Sequence, residues 1–149
     1  MNSVSWHVLA EEAPDIAAFG VARIDGKVAY LATVNTSGEP RIHPVTPIVG
    51  FGRCIIFAEP ESSKLRHFSE NTHYSLHCSM SDSSGSSGEF RIYGEVTEIV
   101  EPSLREQLES ACSFLPSARS KLFELLVSGA MTTNYRSGRP SHRRWTGPA

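Results

Sequence analysis

The chain has 149 residues, of which 40% are hydrophobic and 20% charged, with a formal net charge of −2. That size and balance fit one domain with its own core and exclude a disordered chain. No basic block occurs, which argues against a nucleic-acid partner, and no apolar run is long enough to span a bilayer.

The opening stretch "MNSVSWHVLAEEAPD" carries acids early and lacks a long apolar run, so no secretory signal is expected. Cys54, Cys78 and Cys112 are odd in number and lack CxxC spacing. They read as small buried hydrophobes of a reducing compartment, and a cytoplasmic protein is expected.

Pro14 and Asp15 predict a helix over about residues 14–25, since proline suits the first helical position and a carboxylate suits the positive end of the helix dipole. "VAYLATVN" follows as a strand rich in β-branched and aromatic residues, and Gly38 is the positive-φ residue of the turn after it. "PRIHPVTPIVGF" alternates, with Ile42, Pro44, Thr46 and Ile48 on one side and Arg41, His43, Val45, Pro47 and Val49 on the other. Its prolines demand an edge, a bend or a bulge. "CIIFAE" is a short strand of the kind buried on both faces. "SSKLRHFSEN" is a short helix capped by Ser62 or Ser63, and "THYSLHCSM" is a strand with Tyr74, Leu76 and Cys78 on one face. The polar loop "SDSSGSSGE" leads into the long strand "FRIYGEVTEIV", where Gly94 marks a kink or a close backbone approach.

"PSLREQLESAC" carries a capping-box pattern from Ser103 to Glu106, with Leu104, Leu108 and Ala111 as its inner face. "SARSKLFELLVSG" is expected to form a second C-terminal helix closed by Gly129. "AMTTNYRSG" is expected as a last strand, and "RPSHRRWTGPA" as an irregular basic tail. The chain thus divides into an N-terminal helix near 14–25, five or six strands over about 28–100, and C-terminal helices and a tail over 102–149, all in one domain. Short turns between strands favour a closed or nearly closed antiparallel barrel with helices outside it. No G-x-G-x-x-G follows the first strand, which argues against a βαβ nucleotide fold.

Two hydroxyls and one ammonium, Ser62, Ser63 and Lys64, sit where a strand hands over to a helix. A helix N-terminus offers free N–H groups and a positive dipole end, so this corner suits a phosphate. The histidines do not suggest a metal. His73 and His77 would lie on one strand face about 13 Å apart, too far to share an ion. Adjacent strand residues His77 and Cys78 point to opposite faces and cannot form a nucleophile–base pair.

Taken in order, "YLATVNTSGEPRIHPV", "IIFAEPESSKLRHFSENTHYSLHC" and "FRIYGEVTEIVEP" resemble the pyridoxamine 5′-phosphate oxidase-related family of FMN-binding split barrels. The resemblance covers about Val28 to Pro102. It implies a mainly β fold, a six-stranded antiparallel split barrel of Greek-key type with flanking helices. It implies FMN as cofactor, an oxidoreductase acting on a small molecule, and a homodimer with the flavin site at the subunit interface. By the same resemblance His43, Pro44, Val45 and Thr46 run along the flavin, Phe57 and Ala58 lie beside its ring, and Ser62, Ser63 and Lys64 form the phosphate turn. Ser63 stands where the better-known oxidases carry a second cation, and Ile48 where they carry a lysine; Arg66 is within reach of the turn in sequence. Arg143, Arg144 and Trp145 of the tail suit an anionic aromatic ligand and are expected near a partner's flavin; packing of Trp145 on its own barrel is the alternative. Rival readings on the same barrel are a flavin or haem carrier or sensor without turnover, and a reductase using the deazaflavin F420.

Overall fold

A computed structural model describes residues 2–84 and 86–148. In chain order it comprises α1 (Trp6–Glu12), α2 (Pro14–Ile24), β1 (Ala29–Val34), β2 (Pro40–Val45), β3 (Ile48–Gly50) and β4 (Arg53–Ala58). There follow α3 (Ser63–Glu70), β5 (His73–Cys78), β6 (Glu89–Ile99), α4 (Pro102–Glu109), β7 (Lys121–Arg136) and β8 (Arg139–Thr146). No described helix is long and apolar enough to cross a membrane.

The strands form one antiparallel sheet in the order β2-β1-β5-β6-β7-β4-β3, with β8 added on β7. It has eight strands rather than the six expected, and its hydrogen bonding does not close into a ring. Its two terminal strands, β2 and β3, are nevertheless consecutive in the chain, joined only by Thr46 and Pro47. The sheet therefore curls until its edges meet at that bend. Proline explains the gap, because it has no N–H to continue a ladder. The bend also resets the alternation. His43 and Val45 face the core while Ile42 and Pro44 are exposed, yet Ile48 beyond the bend is buried. The uninterrupted alternation expected across residues 41–49 is thus corrected.

Beta-turn chemistry sets the tight hairpins. Phe51 and Gly52 join β3 to β4, and Ser137 and Gly138 join β7 to β8, each pair with both φ values positive. Two-residue loops of this kind match the strand twist. Asn35 fixes the turn after β1, its side-chain oxygen accepting from the N–H groups of Ser37 (3.0 Å) and Glu39 (2.9 Å).

Three expectations for the C-terminal third are overturned. Residues 121–129 belong to β7, not to a second helix, and the tail is the strand β8. The cap of α4 is Glu101, whose carboxylate accepts from Leu104 N–H at 3.2 Å, and Ser103 merely donates its hydroxyl to Glu101. Strand β7 is 16 residues long and mostly buried. Its first part pairs with β4, its second with β8, and β6 runs along its other edge. A strand covered on both faces loses its polar alternation, so its sequence no longer shows a period of two. Gly129 closes no helix; a Cβ there would meet Tyr93 Oη at 2.3 Å. The register slips at Tyr93/Gly94, where a Cβ on Gly94 would lie 2.0 Å from Leu126 O, as the glycine's position predicts.

The main core joins Trp6, Leu9, Ile16 and Ile24 of the first two helices to Leu31, Leu76, Phe90, Ile92 and Leu125 of the sheet. A second cluster, Ile48, Ile55, Ile99, Leu108 and Leu122, packs the opposite face under α4. Beta strand β4 serves both: Cys54, Ile56 and Ala58 point into the first, Ile55 into the second. This two-sided burial rigidly positions the residues that end the strand, Phe57 and Ala58.

Candidate functional site

A cavity of about 660 Å³ opens where β2, β4 and α3 converge. Pro44, Val45 and Thr46 line it from the end of β2 and the bend, and Phe57, Ala58 and Glu59 from the end of β4. Ser62 and Lys64 line it from the start of α3. Two strand ends and the helix start that follows them, all within residues 44–64, thus share one wall.

Its polar corner is built by the cap of α3. Ser62 Oγ accepts from Lys64 N–H at 3.3 Å, which leaves the hydroxyl proton free to donate into the cavity. Lys64 is half-buried, and burial pulls its ammonium below the usual lysine range. No carboxylate among the described residues pairs with it; the nearby Glu61 binds Arg119 at 3.2 Å. The corner therefore holds an uncompensated cation, a hydroxyl donor and a helix N-terminus. Ser63 and Arg66 are exposed, and neither lines the cavity.

The apolar side combines Val45, Pro44 and Phe57 with Phe114, Leu115 and Pro116. These last residues belong to the loop between α4 and β7, which sequence reasoning placed partly in a helix. Phe114 meets Phe57 edge-on with ring centroids 6.2 Å apart. Arg105 of α4 anchors the loop by donating to Ser120 O (2.7 Å) and Ser117 O (3.1 Å), and its guanidinium stands 5.5 Å from the Phe57 ring centre. Leu115 is 91% exposed at the mouth of the cavity. The signal that could have found the loop is "SFLPS", an apolar pair ended by proline after a helix whose last turn is rich in polar residues.

His43 does not line the cavity. It is buried behind the wall, its Nε2 2.8 Å from Thr33 Oγ1, and the same hydroxyl lies 2.8 Å from His67 Nδ1. Burial, Lys64 and His67 together hold His43 below the ordinary imidazole range. Thr33 and His67 were not identified from sequence.

The C-terminal residues lie elsewhere. Trp145 packs in the chain's own core, and its indole N–H donates to Glu12 Oε1 at 3.0 Å. Arg143 pairs with Asp15, and Arg144 is exposed on β8 opposite Met131. None of the three lines this cavity.

A family model described as pyridoxamine 5′-phosphate oxidase matches residues 21–121. No curated protein matches the sequence. Among solved structures, a haem-binding protein from Mycobacterium smegmatis is 21% identical with a TM-score of 0.65, covering 90% of this chain but 57% of its own. This chain therefore spans little more than half the length of that relative. A putative 5-nitroimidazole antibiotic resistance protein from Bacteroides thetaiotaomicron is 12% identical, covers 82% of each chain and has a TM-score of 0.64. PhzG from Burkholderia lata, solved with tetrahydrophenazine-1-carboxylic acid, is 13% identical, covers 94% of this chain and 92% of its own, and has a TM-score of 0.55. Identities this low speak for the fold alone. The family model, which spans more than half of the chain, shows that it belongs to the pyridoxamine 5′-phosphate oxidase family.

Proposed function

We propose that the protein binds FMN in this cavity and acts as an oxidoreductase on a small molecule. The observation that carries the reading is the convergence of Pro44, Val45, Thr46, Phe57, Ala58, Ser62 and Lys64, which the family resemblance set along a flavin, around a single cavity. Its volume lies within the range of about 300–1,000 Å³ usual for cofactor sites. An apolar wall ending in a cationic corner matches a flat ring with a phosphate tail. When bound, a flavin supplies hydride or electron acceptance. The chain's own part is to seat the ring against Phe57 and Val45, to neutralise the phosphate with Lys64, and to exclude water with the Phe114–Pro116 loop. Ser63, next to Lys64 but exposed, contributes its backbone to the helix start rather than a side chain to the wall.

The active form in this reading is a homodimer with the site at the interface. Val28, Tyr30, Ile42 and Leu115 are large, exposed and apolar, and Val28 and Leu115 border the cavity itself. A second subunit covering them would also wall the open side of the site. Sedimentation of the FMN-loaded chain should give a dimer; a monomer holding FMN tightly would remove this part.

A second reading is haem binding, favoured by the named role of the Mycobacterium smegmatis relative. One titration separates them. Added FMN should lose its fluorescence and bind at one per chain, whereas a Soret band forming with haemin and no response to FMN would replace the flavin reading.

A further inference from the structure

Thr33 holds two imidazoles with one hydroxyl. It is wholly buried on β1, and the His43 and His67 rings stand on either side of it with centroids 5.6 Å apart. A hydroxyl has one proton to donate. Of the two inner nitrogens, His43 Nε2 and His67 Nδ1, one therefore accepts from Thr33 and the other donates to it, so the tautomers are locked in opposition. A first added proton enters at an outer nitrogen, His43 Nδ1 or His67 Nε2, and breaks neither bond. A second would have to displace the bond that Thr33 donates, and would place two positive rings side by side next to Lys64. That second proton would cost Thr33 the acceptor of its own hydroxyl hydrogen.

Both entry points are open. No described residue hydrogen-bonds to the two outer nitrogens, and no buried polar side-chain atom among the described residues lacks a partner. Each outer edge must then reach accessible space. The charged and titratable groups facing His43 are Lys64 and His67, both on α3. On β1 its hydrogen-bond partner is Thr33, and its partner in the strand register is the apolar Leu31. Arg41 of β2 is exposed and pairs with Glu39 at 3.7 Å. Further along α3, Arg66 is exposed, and Glu70 accepts from Thr36 N–H at 3.1 Å. Glu59 lines the same cavity, but among the described residues no carboxylate forms an ion pair with Lys64 or with either ring.

We propose that an anion bound beside Lys64 draws one solvent proton onto the His43–Thr33–His67 triad, so that the site takes up ligand and proton together. The inference rests on the reading that the anionic end of the ligand lies at Ser62 and Lys64. The free site, with His43 held below its ordinary range, is short of that proton near neutrality; a nearby anion restores it. Affinity should therefore rise as pH falls.

Sulfate is the probe, because its charge does not change across the histidine range and all pH dependence then belongs to the protein. Its affinity for the full chain is measured at a series of pH values, with the imidazole nitrogens followed by NMR with and without saturating sulfate. One imidazole titration should move to higher pH on binding. Affinity should fall by up to about tenfold per pH unit as pH rises through the window between the free and bound values. Thr33→Val should flatten that dependence, and Thr33→Ser should restore it. Sulfate binding with a flat pH profile and unmoved imidazoles overturns the proposal in the unaltered chain, whatever the variants do. Failure of sulfate to bind overturns it too, by removing the anion corner. A parallel FMN titration by fluorescence reports on the flavin reading separately.

Discussion

The α3 corner and the β7–β8 hairpin contain the same kinds of side chain, yet they are chemically opposite. At α3, Lys64 has no carboxylate partner among the described residues and Ser62 keeps a free hydroxyl proton, and both line a cavity. On β8, Arg143 is matched by Asp15, and the Trp145 indole by Glu12 and the core. Cations, hydroxyls and aromatics do not make a site by being present. A site is where their bonding capacity is left unmet and turned toward space.

The sharpest way to break this contrast is Trp145→Ala. If the residue is a structural wedge, the variant should lose about 3–5 kcal/mol of stability in a denaturant titration, as buried tryptophans do, with FMN affinity of the folded fraction unchanged. A shift in flavin affinity at unaltered stability would make the hairpin part of the site. Ser62→Ala should move both readouts. Loss of the cap should cost about 1 kcal/mol of stability, and FMN binding should weaken as well, because the hydroxyl donor disappears with it. Arg143→Ala should do least. Its partner and it are 48% and 61% exposed, so unfolding should move by less than about 1 kcal/mol and FMN affinity not at all.

The pH dependence of the ligand-free protein sharpens the same contrast. His43 is depressed below the ordinary 6.5, so the unfolded chain binds the proton more readily than the folded one. Its contribution is present above that pH and is lost as pH falls through the depressed folded value. Thermal unfolding of the unaltered chain should therefore decline more steeply on acidification than that of His43→Gln. Equal slopes would show that the ring is not held back.

Much of the α3 corner was legible in sequence, because local rules build it. A serine cap, a strand end and a proline bend each leave a signature within a few residues. The β1–β2 turn and the Gly94 irregularity were legible for the same reason. The β7–β8 hairpin was not. Leu122, Leu125 and Leu126 repeat at helical spacing in a strand whose faces pack into both cores, Leu122 into the second cluster and Leu125 into the main one, and whose edges pair with β4, β6 and β8, none of which a local window contains. The turn that would have revealed it, Ser137-Gly138, is a hairpin signal that lost its force because the run after it, "RPSHRRWTGPA", read as an irregular tail. Thr33 and His67 stayed hidden because they are 34 positions apart and are joined by a contact, not a pattern.

The central claim is that Lys64 neutralises the phosphate of a flavin in the cavity. It is tested most directly by titrating FMN and riboflavin, which differ by that phosphate alone, into the unaltered chain and Lys64→Ala. The account predicts that the substitution weakens FMN by about 1.5–3 kcal/mol, the worth of a charge-assisted bond, and leaves riboflavin nearly untouched. Equal weakening of both ligands, or of neither, would contradict it.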